Sequence, residues 1–254
     1  MRKKIAAANW KMNCTYQQAE RLLEDVLNGV HGLKENQQVL FAVPFPYLIM
    51  ANSRSADEPN YAVAAQNCYH EKSGAFTGEV SAEMLHSIGT KFCIIGHSER
   101  RQFFNETNEQ LARKIDLCLE NGITPLFCCG ETLEIRESGK QNEHVTRQVS
   151  ESLFHLQMDV LEKIIIAYEP VWAIGTGKTA SAEQAQEMHG NLRGVISKKY
   201  GQQTASNISI LYGGSVKPSN AKELFTQPDI DGGLVGGASL VANDFIAILD
   251  GFDS

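Results

Sequence analysis

The sequence predicts a closed (β/α)8 barrel, and three observations carry that reading. Short apolar, β-rich runs occur eight times. Their starts lie 22 to 44 residues apart, which leaves room for a crossover helix in each gap. The chain has 254 residues, the length that barrels of this class use as one domain of about 250. The runs are near-continuous rather than alternating, as befits parallel strands buried on both faces. An open doubly wound sheet is the competing architecture, and eight repeated units favour closure over it. Residues 1–254 are expected to form one domain, because no linker-like or low-complexity segment interrupts them.

The first run, 5–10 (IAAANW), is followed by a helix in which Ala19, Leu22, Leu23, Val26, Leu27 and Val30 keep helical spacing. The second run is 39–45 (VLFAVPF), the third 61–67 (YAVAAQN) and the fourth 92–97 (FCIIGH). After the fourth, Thr107 and Gln110 form a capping-box pattern, Leu111, Ile115, Cys118 and Leu119 make an apolar stripe, and Asn121-Gly122 stops the helix. The fifth run, 124–129 (TPLFCC), precedes a helix-like segment at 144–157. The sixth, 164–169 (IIIAYE), precedes another at 181–200, which Gly190 and Gly194 weaken. The seventh run is 208–213 (ISILYG) and the eighth 231–236 (DGGLVG); Leu240, Phe245, Ile246 and Ile248 then suggest a last helix.

Composition narrows the function. Lys plus Arg is 23 against 30 for Asp plus Glu, a net charge of −7, which argues against a non-specific nucleic-acid binder. A local anion site remains compatible with that charge, since helix N-termini bind phosphate regardless. No membrane span is expected: the apolar stretch Val39–Ala51 is broken by Pro44 and Pro46 and is too short. Asn9-Trp10-Lys11 interrupts what would be the apolar part of a signal peptide, and the tail carries no lipidation signal. The six cysteines, at 14, 68, 93, 118, 128 and 129, form no C-x-x-C pair. Cys93, Cys118 and Cys128 sit in apolar runs and read as small hydrophobes. Cys128 and Cys129 should point to opposite faces of a strand, which argues against joint metal ligation. A reduced, cytoplasmic protein is expected, with the three N-x-S/T sequons accidental.

In such a barrel the reacting groups sit at the C-terminal ends of the strands. Run one ends in Asn9-Trp10-Lys11, run four in His97-Ser98-Glu99-Arg100 and run six in Glu169-Pro170. Run seven ends in Gly213-Gly214-Ser215 and run eight in Gly236-Gly237. A lone His after a strand is ordinary; five such strand ends on one rim define a candidate site. A carboxylate at Glu169 suits a general base, a neutral imidazole at His97 suits a donor to a developing oxyanion, and Lys11 supplies fixed positive charge. The two glycine-rich turns, each read as opening a helix, can hold a phosphate with backbone N–H groups, after strands seven and eight where barrels place it. Gly175-Thr176-Gly177-Lys178-Thr179 is not a nucleotide P-loop, because the first glycine of that motif would stand at Trp172. Segment 170–180 reads instead as a lid with stiff ends and a mobile tip. No metal and no cofactor is expected.

These residues resemble the triosephosphate isomerase family over almost the whole chain. The resemblance rests on Asn9–Asn13 (NWKMN), Gly74–Glu79 (GAFTGE), Gly96–Arg101 (GHSERR), Ala167–Lys178 (AYEPVWAIGTGK), Tyr212–Ser215 (YGGS) and Leu234–Ser239 (LVGGAS). It implies the TIM barrel and the reversible interconversion of dihydroxyacetone phosphate and D-glyceraldehyde 3-phosphate, in glycolysis and gluconeogenesis. It further implies Glu169 as the base, His97 as the neutral electrophile, and Lys11 with Asn9 as groups that stabilise the enediolate and position substrate. Ser98 and Glu99 become supporting groups. Gly175, Ser215, Gly236 and Gly237 bind the phosphate through backbone amides, and Ile174 with Leu234 forms an apolar clamp that dries the carboxylate. Two departures from the family pattern touch no catalytic role: Ala8 stands where many members have Gly, and Cys129 replaces an aliphatic residue between Cys128 and Glu131. The competing function is another sugar-phosphate-handling barrel enzyme, which would need a second acid–base constellation. A non-catalytic barrel should have lost Lys11, His97 or Glu169, and all three are present.

The third strand is expected to end near Asn67 and the next helix to start near Glu79. That connection, about 11 residues, is long for a loop where 2–6 is usual. It carries Tyr69, Ala75 and Phe76 between glycines, and an apolar tip in water is costly. The resemblance implies a homodimer through loop 68–79, with Thr77 approaching the partner's Lys11 and the partner's His97, and with Cys14 at the interface.

Overall fold

A computed structural model of the chain describes residues 2–175 and 179–253. Eight parallel strands follow one another around a closed barrel. They are β1 (Lys4–Asn9), β2 (Gln37–Val43), β3 (Tyr61–Ala65), β4 (Phe92–Ile95), β5 (Thr124–Cys129), β6 (Ile165–Tyr168), β7 (Ile210–Tyr212) and β8 (Gly232–Val235). The ring closes where β1 pairs with β8, Ile5 beside Gly232 through Ala8 beside Val235. That closure excludes the open doubly wound sheet.

Side chains alternate across each strand, so the sheet has two buried faces. Ile5, Ala7, Leu40, Ala42, Leu126 and Leu211 belong to a cluster that fills the barrel. Their neighbours Ala6, Ala8, Val39, Phe41, Phe127 and Tyr212 pack outward beneath the helices. Cys128 lies in the inner cluster and Cys129 in the outer one, on opposite faces as their adjacency requires. Gly232, at φ +133°, lets β8 lie against β1: a Cβ there would stand 2.0 Å from the Ile5 carbonyl oxygen.

The helical layer is richer than one helix per gap. The expected helices appear as Tyr16–Gly29, Asn108–Glu120, Ala182–Tyr200 and Ala242–Leu249. Thr107 and Gln110 make the reciprocal capping box that their spacing suggests. Gly190 and Gly194 do not break their helix, which starts in a capping box between Ser181 and Gln184 and buries Ala185, Met188, Leu192 and Ile196; packing of that face overrides their weak propensity. The segment expected at 144–157 begins earlier, at Gln141, and ends at Leu153, because Gly139 at φ +72° turns the chain just before it. Short extra helices occupy the mouth side, notably Ser98–Phe103 after β4 and Leu133–Glu137 after β5. Among the described residues no helix is long and apolar enough to cross a membrane.

One buried group couples stability to pH. His189 is enclosed between Tyr168 and Tyr212 and shares a 3.1 Å hydrogen bond between its Nδ1 and the Asp229 carbonyl oxygen. Burial pushes its imidazole down to about 4. The unfolded chain therefore binds the extra proton first as pH falls. The stability linked to the neutral ring is complete above its ordinary value, about 6.5, and is lost progressively toward pH 4, about 3 kcal/mol in all. Denaturant unfolding at pH 7 and pH 4 is expected to contain this loss in the unmodified chain and to lack it in His189→Gln; equal losses in both proteins would contradict the assignment.

Candidate active site

Strand alternation aims the candidate reacting groups. Asn9 continues the inward series Ile5, Ala7, and Glu169 continues Ile165, Ala167, so both carboxamide and carboxylate rise from the barrel's interior face. The Glu169 side chain is nearly enclosed, the residue being 1% exposed. Its Oε2 accepts the Ser98 backbone N–H at 2.8 Å and its Oε1 accepts the Ser98 hydroxyl at 3.1 Å. His97 Nε2 stands 3.1 Å from the same Oε1.

His97 occupies the N-cap of helix Ser98–Phe103, where its Nδ1 accepts the Glu99 backbone N–H at 3.3 Å. A ring nitrogen that accepts from a backbone N–H carries no proton, so this bond assigns the neutral tautomer with its proton on Nε2. That proton points toward Glu169. One short helix thus orders both groups: its first N–H holds the carboxylate and its second orients the imidazole.

Lys11 sits in the left-handed region at φ +52°, a conformation that costs a non-glycine residue on the order of 1 kcal/mol and is maintained by surrounding structure. The Lys11 N–H donates to Asn9 Oδ1 at 3.1 Å, and Gln66 Nε2 donates to the Lys11 carbonyl at 3.0 Å. Its ammonium pairs with Glu99 Oε1 at 2.6 Å. This kinked backbone brings the ammonium to the same mouth as His97.

A cavity of about 630 Å³ opens there, lined by Asn9, Lys11, His97, Ser215, Leu234 and Gly236 among others. Ile174, Gly175 and Gly237 also border it. The turn at Gly213-Gly214-Ser215 does not itself open a helix, contrary to expectation; the helix begins at Pro218, and Asn220 Nδ2 reaches back to the Ser215 carbonyl at 3.0 Å. Gly236-Gly237 does open a 3-10 turn, Gly237–Leu240. Glu169 does not border this cavity; it lines a second one of about 620 Å³ behind it, between Ser98, Gly130 and Val171. His97, which does border the first cavity, stands 3.1 Å in front of the carboxylate.

Two glycines make that placement possible. A Cβ on Gly130 would stand 1.8 Å from the Glu169 carbonyl oxygen, and one on Gly213 would stand 2.9 Å from Glu169 Cγ. Gly213→Ala is expected to displace the carboxylate and lower kcat about 100-fold, as a shift near 1 Å does to a reacting group, with little change in melting temperature. Unchanged kcat with a folded protein would show that Glu169 is not held by this contact.

Sequence reasoning gave no role to Glu131. It is fully buried and its Oε1 accepts from Tyr168 Oη at 2.9 Å, from Trp172 Nε1 at 2.9 Å and from Arg136 Nη1 at 3.2 Å. It anchors the start of segment 170–180, whose Val171–Ala173 form a 3-10 turn. Nothing local in the sequence marks it, because its donors Tyr168, Trp172 and Arg136 converge on it only in the folded chain. Gln66, which holds Lys11, carried no signal at all. The tip of the expected lid, residues 176–178, lies outside the described residues. Cys128 and Cys129 lie beneath the mouth; burial pushes the Cys129 thiol up to about 12 and the Cys128 thiol well above its usual range, so neither is a ready nucleophile. Thr77 lies on the exposed tip of the loop after β3, and Cys14, at φ +70°, lies on the loop after β1. The loop after β3 runs from Gln66 to Ser81, longer than expected because β3 ends at Ala65 and the helix starts at Ala82.

A closed parallel barrel carrying a carboxylate–imidazole pair, a fixed ammonium and two glycine-rich turns at one mouth defines a barrel enzyme built for acid–base chemistry on a small anionic substrate. A sequence model of the family described as Triosephosphate isomerase matches residues 4–252. The chain is 54% identical over 248 residues to triosephosphate isomerase of Cytophaga hutchinsonii, covering 98% of each chain. It is 52% identical over 253 residues to that of Bacteroides fragilis, covering 100% of each. With that of Porphyromonas gingivalis the identity is 51% over 252 residues, 99% of this chain and 100% of the relative. The chain belongs to the triosephosphate isomerase family.

Proposed function

We propose that this enzyme interconverts dihydroxyacetone phosphate and D-glyceraldehyde 3-phosphate, in glycolysis and gluconeogenesis, with residues 1–254 acting as one barrel domain in the cytoplasm. The observation that carries the reading is the shared grip of helix Ser98–Phe103 on Glu169 and His97. Glu169 removes a proton from the carbon beside the substrate carbonyl, the electron pair moves to the carbonyl oxygen, and His97 Nε2–H donates to that oxygen. Glu169 then returns the proton to the neighbouring carbon while His97 takes back a proton from the hydroxyl on the first carbon, whose oxygen becomes the new carbonyl, and the isomerisation is complete. To reach substrate the carboxylate leaves Ser98 and turns into the 630 Å³ cavity. Lys11 and Asn9 stabilise the enediolate. The backbone amides of Gly175, Ser215, Gly236 and Gly237 take the phosphate, and Ile174 with Leu234 excludes water. Ser98 and Glu99 act through Glu169, His97 and Lys11. Purified protein in a coupled assay for glyceraldehyde 3-phosphate is expected to turn over; absence of turnover with folded protein would defeat the reading, and turnover of a different sugar phosphate would favour another barrel isomerase.

The active unit is a homodimer. Met12, Phe45, Phe76 and Phe103 are all exposed, Met12 at 96%, and they follow β1, β2, β3 and β4 in turn, so they crowd one side of the barrel mouth. Tyr69 and Phe76 pack their rings at 4.7 Å on the loop after β3. Loop 68–79 docks on a second copy, Thr77 near the partner's Lys11 and the partner's His97, with Cys14 at the interface. Replacing residues 70–78 with a polar turn is expected to give a monomer in sedimentation with kcat reduced at least 10-fold, because Lys11 and His97 lose their support. A monomeric unmodified protein with full activity at micromolar concentration would overturn the dimer.

A further inference from the structure

Away from the mouth, three sulfurs converge between the strands and the helices. Cys68 follows β3, Cys93 lies in β4 and Cys118 lies on helix Asn108–Glu120, at intervals of 25 residues along the chain. All three are 0% exposed. Their Sγ atoms lie within 4.8 Å of one another, with Cys68 and Cys118 3.6 Å apart. We propose that Cys68, Cys93 and Cys118 form a trigonal thiolate site for a soft monovalent metal ion of the cuprous class.

Geometry argues first. Metal–sulfur bonds of about 2.3 Å in a trigonal plane set the sulfurs about 4 Å apart; the Cys68–Cys118 pair is at 3.6 Å and no pair exceeds 4.8 Å. No fourth His, Cys or carboxylate joins the group among the described residues. Three donors leave the tetrahedron of a structural zinc site incomplete, whereas soft thiolates select cuprous ions. Packing alone would need three small apolar groups here and would not require all three to be sulfur.

The surroundings supply charge. Buried Lys114 donates its ammonium to Asn67 Oδ1 at 2.8 Å and Glu106 Oε1 at 2.6 Å, in the same layer. The Sγ atoms of Cys68 and Cys118 share a contact of 3.6 Å, which either can donate. Each thiol that binds the ion releases its proton to solvent. The bound ion would tie β3, β4 and helix Asn108–Glu120 together and stabilise the folded chain by mass action.

The test uses the reduced full-length protein under anaerobic conditions, equilibrated with cuprous chloride through one cycle of unfolding and refolding so that burial does not bar entry. One copper per chain is expected to survive competition by a colorimetric cuprous chelator, with a rise in melting temperature. Cys93→Val and Cys118→Ala should each weaken retention about 100-fold, the upper end of what altering a metal's surroundings costs. Cys129→Val and Cys14→Ser should retain it. X-ray absorption at the copper edge, which needs no variant, should count three sulfur neighbours. No retained copper, retention unaffected by both site variants, loss through Cys14→Ser alone, a different neighbour count, or a Cys68–Cys118 disulfide formed in place of the metal site would each overturn the proposal.

Discussion

Glu169→Asp is expected to lower kcat about 100-fold while KM stays nearly constant. The shorter side chain draws the carboxylate back by roughly 1 Å, and a misplacement of that size costs a reacting group about two orders of magnitude. KM is spared because the base acts mainly in the transition state, so kcat and kcat/KM should fall together. The folded structure tolerates the change unevenly: Ser98 N–H and Ser98 Oγ, now at 2.8 and 3.1 Å from the carboxylate, lose optimal contact. Melting temperature should therefore move slightly while kcat moves greatly. Steady-state kinetics with a thermal melt on one preparation checks both, and a variant with unmodified kcat would remove Glu169 from its role.

His97→Gln is expected to cost roughly 10²–10⁴ in kcat, the range for losing a positioned proton donor. The rival account is structural, since His97 caps helix Ser98–Phe103 through its Nδ1. The two accounts part on a second measurement. A cap lost for lack of an acceptor costs about 1 kcal/mol, and Gln keeps an acceptor. If the imidazole is only a cap, Gln replaces its acceptor, and both melting temperature and activity per folded molecule hold. If it is the proton donor, activity collapses in a protein that melts nearly as before.

Much of the architecture was legible without coordinates. Each of the eight apolar runs became a strand with ends moved by a residue or two, because strands buried on both faces must be apolar throughout. The capping box at Thr107 was legible for a local reason: cap and partner are three residues apart. The shape of the β3 loop was less so. Asn67 reads as strand by composition, yet the ladder stops at Ala65, beside Cys93 on β4.

What the sequence by itself determined is the repeating strand–helix order, the family, and the residue types gathered at the strand ends, because periodicity and strand termini are local properties. Only the tertiary structure decided which atoms meet. It put Glu169 behind His97 on the lining of the second cavity, made Gly130 and Gly213 the spaces beside it, and hung the start of the lid segment on Glu131. It also gathered Cys68, Cys93 and Cys118, whose equal spacing carries no recognisable motif. The physical reason is common to all of these: hydrogen bonds, steric exclusion and metal ligation act over a few ångströms of space, and barrel closure sets that space by joining residues that lie far apart in the chain.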